Sequence, residues 1–323
     1  MKRIPEPSMS NPDIFNQIMA VTAPVFAMVI LGFGLRKARL VDDPFIHTAS
    51  NLVFRATMPT LFFLSIWQSD LHVAFQPDLV LCFALVTLLA FAGSWRWAHT
   101  NLPFNQRGVF VQGAFRGNCG VVSFALVSNY FGAYGASVGG VLAGVAILLF
   151  NLLSVFILSY YSPLMRFSVK SALKDLVSNP LVLSVLAGLL ASWVKLSIPH
   201  WVQVSGHYFA GMTLPLALIC AGATLSVEGV RQSGKAAFQS SLVKIIILPV
   251  LGCLLAFALG FRDKDLIVLW FFFATPTAAA SFSMALAAGG DGRLAANIIA
   301  VSTVLSIATV TAGVYVLAAF IGN

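Results

Sequence analysis

Arg116-Gly117-Asn118-Cys119-Gly120 sits in the middle of an apolar run that extends from 108 to 131. A run of that length is a transmembrane helix candidate. Two glycines, an asparagine and an arginine at its centre are wrong for a plain span. Glycine costs about 1 kcal/mol in a helix interior, and a mid-bilayer charge about 2.5–3.5 kcal/mol on insertion scales. A second apolar run, 265–288, is broken in its middle at Thr275-Pro276-Thr277, where proline removes a helix hydrogen bond and crowds the preceding turn. Two interrupted spans in corresponding places of the two halves of a chain point to the binding site of a secondary transporter.

Composition agrees. Hydrophobic residues make up 59% of the 323 and charged residues 9%, with a mean hydropathy of +0.91; an ordinary soluble domain is excluded. The net charge of +8 would suggest nucleic acid in a soluble protein. Here most basic residues lie between apolar runs, where they set topology, so no nucleic-acid partner is expected. Cys82, Cys119, Cys220 and Cys253 each stand alone in apolar sequence, so no zinc site, disulfide framework, metal or cofactor is implied. HExxH, GxSxG, P-loop and GxGxxG patterns are absent, and no enzyme is expected.

The fold class is an all-α integral membrane protein with ten transmembrane helices. Spans are expected at 14–36, 45–67, 79–98, 108–131 and 134–161, then at 180–198, 204–226, 236–261, 265–288 and 293–320. The first run is too long for a signal-peptide core and ends in Arg36-Lys37-Ala38-Arg39, which is no cleavage site. A first five-helix repeat thus covers 1–161, with a short tail at 1–13, and a second covers 180–323. The connector 162–179 carries Arg166, Lys170 and Lys174 and suits a surface amphipathic helix. Odd-numbered connections hold eleven Lys and Arg, against five in the even ones and tails. Positive-inside puts both termini outside and the connector in the cytoplasm. Thr57-Met58-Pro59 in the second span matches Thr213-Leu214-Pro215 in the seventh, an offset of 156, close to the 159 between Asn118 and Thr277. Five spans per half is odd, so the halves have opposite topology: a 5+5 inverted repeat.

Arg116-Gly117-Asn118, Asn179-Pro180-Leu181, Pro215-Leu216-Ala217-Leu218, the stretch from Lys244 to Pro249, and Pro276-Thr277-Ala278 with Ser281-Phe282-Ser283-Met284 together resemble the auxin efflux carrier family, bacterial relatives of the plant PIN-type auxin carriers. The similarity runs from the first span to the tenth. It implies a fold like that of the bile acid/sodium symporters, with broken helices 4 and 9 crossing. It also implies organic anions as substrates, either auxin or malate- and malonate-like carboxylates. Spans 1, 2, 6 and 7 would form a scaffold and the others a moving core, leaving room for a homodimer through the scaffold. One departure is the first break, which has no proline; Gly117 and Gly120 stand in its place, whereas Pro276 marks the second.

Elementary electrostatics points to the same ligands. Breaking two helices at mid-membrane aims two half-helix N-termini, near Val121 and Ala278, at the bilayer centre, each worth roughly half a positive charge. All eleven carboxylates lie in loops or at span ends, so none remains in the core to chelate sodium or relay protons. The amide of Asn118 can donate to a carboxylate or satisfy freed backbone. Thr275 and Thr277 could donate from the other break or bond back to their own helix, and Ser281 follows Thr277 on the same face. Arg116 could clamp a carboxylate or gate the vestibule. Arg55 and Lys244 lie toward span ends and are expected to snorkel, while Asn151 and Asn297 would line the cavity or join helices. These residues suit a carrier of small carboxylates in the bilayer of a bacterial inner membrane, by export or exchange. The alternatives are a transport-like sensor and a passive anion channel.

Overall fold

The computed structural model describes residues 11–68, 75–162, 178–225, 231 and 234–321. The basic cluster of the connector, Arg166 to Lys174, lies outside the described residues. Helices fill nearly all the rest: α1 Asn11–Lys37, α2 Asp43–Leu52, α3 Met58–Trp67, α4 Pro77–Asn101, α5 Phe104–Phe115, α6 Phe124–Tyr160, α7 Pro180–Trp193, α8 His200–Gly211, α9 Thr213–Ala223, α10 Lys235–Leu242, α11 Leu248–Ala258, α12 Asp263–Ala274, α13 Ala280–Ala287 and α14 Gly292–Ile321. Among the described residues, six helical stretches are long and apolar enough to cross a membrane: Ile18–Lys37, Pro77–Asn101, Cys119–Tyr160, His200–Ala223, Lys235–Ala258 and Gly292–Phe320. Large apolar side chains such as Leu183, Leu186, Leu190 and Leu254 face outward, as they do when the solvent is lipid. The chain is an integral membrane protein.

Proline placement explains the irregular turns. Pro59 and Pro249 each follow a π-helical turn, Val53–Thr57 between α2 and α3 and Val243–Ile247 between α10 and α11. Proline cannot donate to the carbonyl four residues back and its ring crowds it; a wider turn relieves both. A third π turn, Cys119–Ser123, restarts the helix after the first break, where proline is absent. Gly132 bends the long helix α6 at φ +58°, a conformation nearly confined to glycine. It does the work of the short loop expected at 132–133.

Helix α1 packs chiefly on α9, and α3 chiefly on α7, with α6 and α8 next. Side chains beyond hydrogen would prevent the first of these contacts: a Cβ at Gly32 would strike the Ile219 backbone, and one at Gly222 the Val29 backbone. A second group joins α4 to α5, α11 to α12, and α10 and α12 to α14. Its centre is aromatic. Phe83 stacks on Phe273 with centroids 5.4 Å apart and meets Phe272 edge-on at 5.9 Å. Offset stacks and edge contacts of this kind add to plain burial and hold α12 against α4.

Candidate functional site

Two helices stop in mid-core and their loose ends pair with each other. Helix α5 ends at Phe115, and Arg116 is extended at φ −79°, ψ 99°. Helix α12 ends at Ala274, and Thr275 is extended at φ −68°, ψ 152°, the region a following proline imposes. The two extended pieces run antiparallel, with Gly117 bridged to Thr277. Asn118 N donates to the Pro276 carbonyl at 2.9 Å and Ala278 N to the Arg116 carbonyl at 3.2 Å. Neighbouring side chains take up what is left. Thr277 N donates to Ser302 Oγ at 3.1 Å, Thr277 Oγ1 to the Gly113 carbonyl at 2.9 Å, and the hydroxyls of Ser123 and Thr275 meet at 3.1 Å. Away from water, each backbone group left unpaired would cost several kcal/mol (roughly), so this pairing is what makes a double break tolerable.

Beside the crossing lies a cavity of about 410 Å³. One wall is the crossing itself: Arg116 to Val121 and Ala278 to Ala280, with Ile147, Phe150 and Asn151 of α6 and Met284 of α13. The facing wall comes from the other group of helices, with Ser50, Val53, Phe54 and Arg55, then Asn179 to Leu181, and Ala217, Cys220, Ala221 and Thr224. The backbone that begins each new half-helix therefore borders the cavity, bringing the positive end of a helix dipole to it twice.

Two side-chain cations reinforce that potential. Arg116 is 7% exposed; its Nη1 donates to Ser154 Oγ at 3.1 Å and its Nη2 to Asn151 Oδ1 at 2.8 Å, while Nε has no partner. Lys244 has no exposed surface, and its ammonium donates to the Phe273 carbonyl near the end of α12. A Cβ at Gly117 would lie 3.2 Å from Lys244 Nζ, so this charge abuts the crossing. Among the described residues the one ion pair is Arg36–Asp43, and neither buried cation has a carboxylate partner. The same residues hold no cluster of His, Cys, Asp and Glu suited to a metal ion.

Of the expected site residues, the structure brings Asn118, Arg116, Gly117 and Gly120 to the cavity. Asn118 is half-buried, and its side chain does not cap the half-helix that follows it. Thr275, Thr277, Pro276 and Ser281 are not in the lining. Both threonine hydroxyls join the two halves, and the Ser281 hydroxyl is buried without a partner. Lys244 does not snorkel: it sits nine residues into the helical stretch that begins at Lys235, about 13 Å along by helical rise, with lipid-facing neighbours Ile246 and Ile247 but its own side chain turned inward. Arg55, also expected to snorkel, lines the cavity, and Asn151 both lines it and holds Arg116. The missed signal is local, a cation four or five residues before an intramembrane proline.

Comparison with known proteins gives consistent results. A family profile described as "Membrane transport protein" matches residues 17–314. A protein described as "Uncharacterized transporter" from Methanothermobacter thermautotrophicus is 23% identical over 285 residues, covering 88% of this chain and 93% of its own. A protein described as "Putative malonate transporter" from Rhizobium meliloti is 24% identical over 327 residues, covering 93% of this chain and 96% of its own.

Proposed function

The chain belongs to the membrane transport protein family, and we propose that it is an alternating-access carrier of small organic anions, malate- or malonate-like carboxylates foremost and auxin-like acids next, working by export or exchange. The observation that carries this reading is the convergence of two half-helix N-termini and the Arg116 guanidinium on one cavity that no carboxylate of the described residues neutralises. Such a site attracts anions and repels cations. Arg116, held in place by Ser154 and Asn151, would supply the positive charge that draws a carboxylate to the crossing, and Asn118 would donate its amide to the same group. The name given to the Rhizobium relative supports malonate among the candidates.

The mechanism follows from an inverted 5+5 repeat of ten spans. Helix pairs that correspond under such a repeat both occur: α1 with α9 and α7 with α3, α4 with α5 and α11 with α12. The first two pairs would make the scaffold; the crossing and its neighbours would make the moving core. Helix ends that border the cavity include Ser50, Asn179 and Thr224, which positive-inside assigns to the cytoplasmic side. On that orientation the cavity faces inward, and a rocking of the core against the scaffold would open it outward.

Uptake of radiolabelled malate, malonate and indole-3-acetate into proteoliposomes, with and without sodium and pH gradients, tests this. Saturable flux of one acid, lost in Asn118→Ala with the melting temperature of the purified protein unchanged, is the expected result. Saturable binding without flux would transfer the protein to the sensor class, and non-saturating flux to the channels. Thr277→Val serves as the contrasting variant. Its hydroxyl is committed to Gly113, so the expected outcome is an unchanged KM with about 1 kcal/mol less stability, read from thermal or denaturant unfolding.

A further inference from the structure

Arg55 is one of three cations near the crossing, yet it belongs to the opposite wall. In a regular α-helix, residue 55 would lie about 140° round from Ser50, at roughly 100° per residue, and would leave the face that Ser50, Val53 and Phe54 share. The π turn Val53–Thr57 closes its hydrogen bonds over five residues, so a side chain five positions on returns toward the same face. Ser50, Val53, Phe54 and Arg55 accordingly border one cavity. The wider turn itself follows from Pro59, two residues beyond it. π turns are rare, and those that occur are frequent at functional sites. Arg55 has no ion pair among the described residues, is exposed and lines the cavity.

The cavity thus presents one guanidinium from the crossing and another from the facing wall. Everything between them is apolar or neutral: Val53, Phe54, Ile147, Phe150, Ala217 and Met284 among the lining. A monocarboxylate bound at either wall carries no second charged group for the other. A short dicarboxylate offers one carboxylate to each, and each contact would be charge-assisted, with a forked geometry open to Arg55. We infer that Arg55 is the second carboxylate-binding group of the cavity and makes it selective for dicarboxylates over monocarboxylates. This rests on the carrier reading above and adds to it a residue and a substrate class. Because Arg55 stands on the scaffold wall and Arg116 on the core wall, a dicarboxylate held by both ties the two bodies together, which a monocarboxylate does not.

The test compares wild type, Arg55→Gln and Arg55→Lys in proteoliposomes, using malonate, malate and succinate beside propionate and indole-3-acetate, with thermal stabilisation of the detergent-purified protein by malonate as a binding readout. Arg55→Gln is expected to lower the ratio of dicarboxylate to monocarboxylate kcat/KM at least tenfold and to abolish stabilisation by malonate. Arg55→Lys, which keeps the charge but loses the fork, is expected to fall between. Equal loss for every acid, no loss for any, or a wild-type protein that prefers monocarboxylates overturns the role of Arg55 while leaving an anion carrier. A wild type that moves none of the acids overturns the carrier reading itself, a separate outcome visible before any variant is made.

Discussion

Replacing Lys244 with methionine is expected to cut anion uptake roughly thirtyfold or more while leaving the melting temperature of the purified protein unchanged or higher. The two halves of that expectation come from one fact, the burial of an ammonium with no carboxylate to pair with. A charge in the hydrocarbon interior costs several kcal/mol (roughly) even after relaxation, and its hydrogen bond to the Phe273 carbonyl offsets only part of that. Methionine has similar length and no charge. Its introduction removes the desolvation cost and leaves one carbonyl unpaired, a penalty of about 1–3 kcal/mol, so stability should hold or improve. Uptake should not. At a separation of about 8 Å and an effective dielectric constant of about 20, a unit charge would contribute about 2 kcal/mol to holding an anion, which is the thirtyfold. Proteoliposome uptake beside scanning fluorimetry on the same preparation measures both. Uptake within threefold of wild type would remove Lys244 from the site.

That residue also marks where sequence stops being informative. The breaks were legible because each puts residues a bilayer helix cannot tolerate, Gly117, Asn118 and Pro276, inside runs that are otherwise apolar. Backbone chemistry then dictates a paired crossing, whatever its details. The partners in that pairing were not legible, since Thr277 finds Gly113 and Ser302, and Thr275 finds Ser123, all through tertiary contact. A hydroxyl beside a break can serve a ligand or the other half of the protein, and spacing does not distinguish them. Distance from a span end misled for Arg55 and Lys244 because it treats each helix as regular. Arg55 and Lys244 both lie in π turns before a proline, and proline is a sequence feature, so the irregular turn is itself written in the sequence. Helix continuity was the remaining ambiguity. Gly132 alone carries the bend inside α6, where the glycine-rich sequence from Gly132 to Gly144 gives no other sign of a stop.

Gly117→Ala should abolish transport through a single added methyl group at the crossing. A Cβ there would come 3.0 Å from Thr275 Oγ1 and 3.2 Å from both Cε and Nζ of Lys244, tighter than ordinary contact on two sides. The neighbours have little freedom to yield. Thr275 sits in extended backbone before a proline with its hydroxyl against Ser123, and Lys244 is tied to the Phe273 carbonyl. Overpacking of this kind costs about 1–3 kcal/mol. The shift it forces also opens the bridge between Gly117 and Thr277 and displaces both half-helix ends from the cavity, so uptake should fall below detection while the protein still purifies folded. Gly120 supplies the control. A methyl there meets only the Ile147 Cδ1 and Met58 Sδ ends of flexible side chains, at 3.2 and 3.5 Å, and Gly120→Ala should cost less than about 1 kcal/mol. A double-mutant cycle with Thr275→Ala completes the test: removing the nearest obstructing atom should recover at least about 0.5 kcal/mol of what Gly117→Ala loses. Strict additivity would mean that the harm lies in the backbone of residue 117 and not in the contact across the crossing.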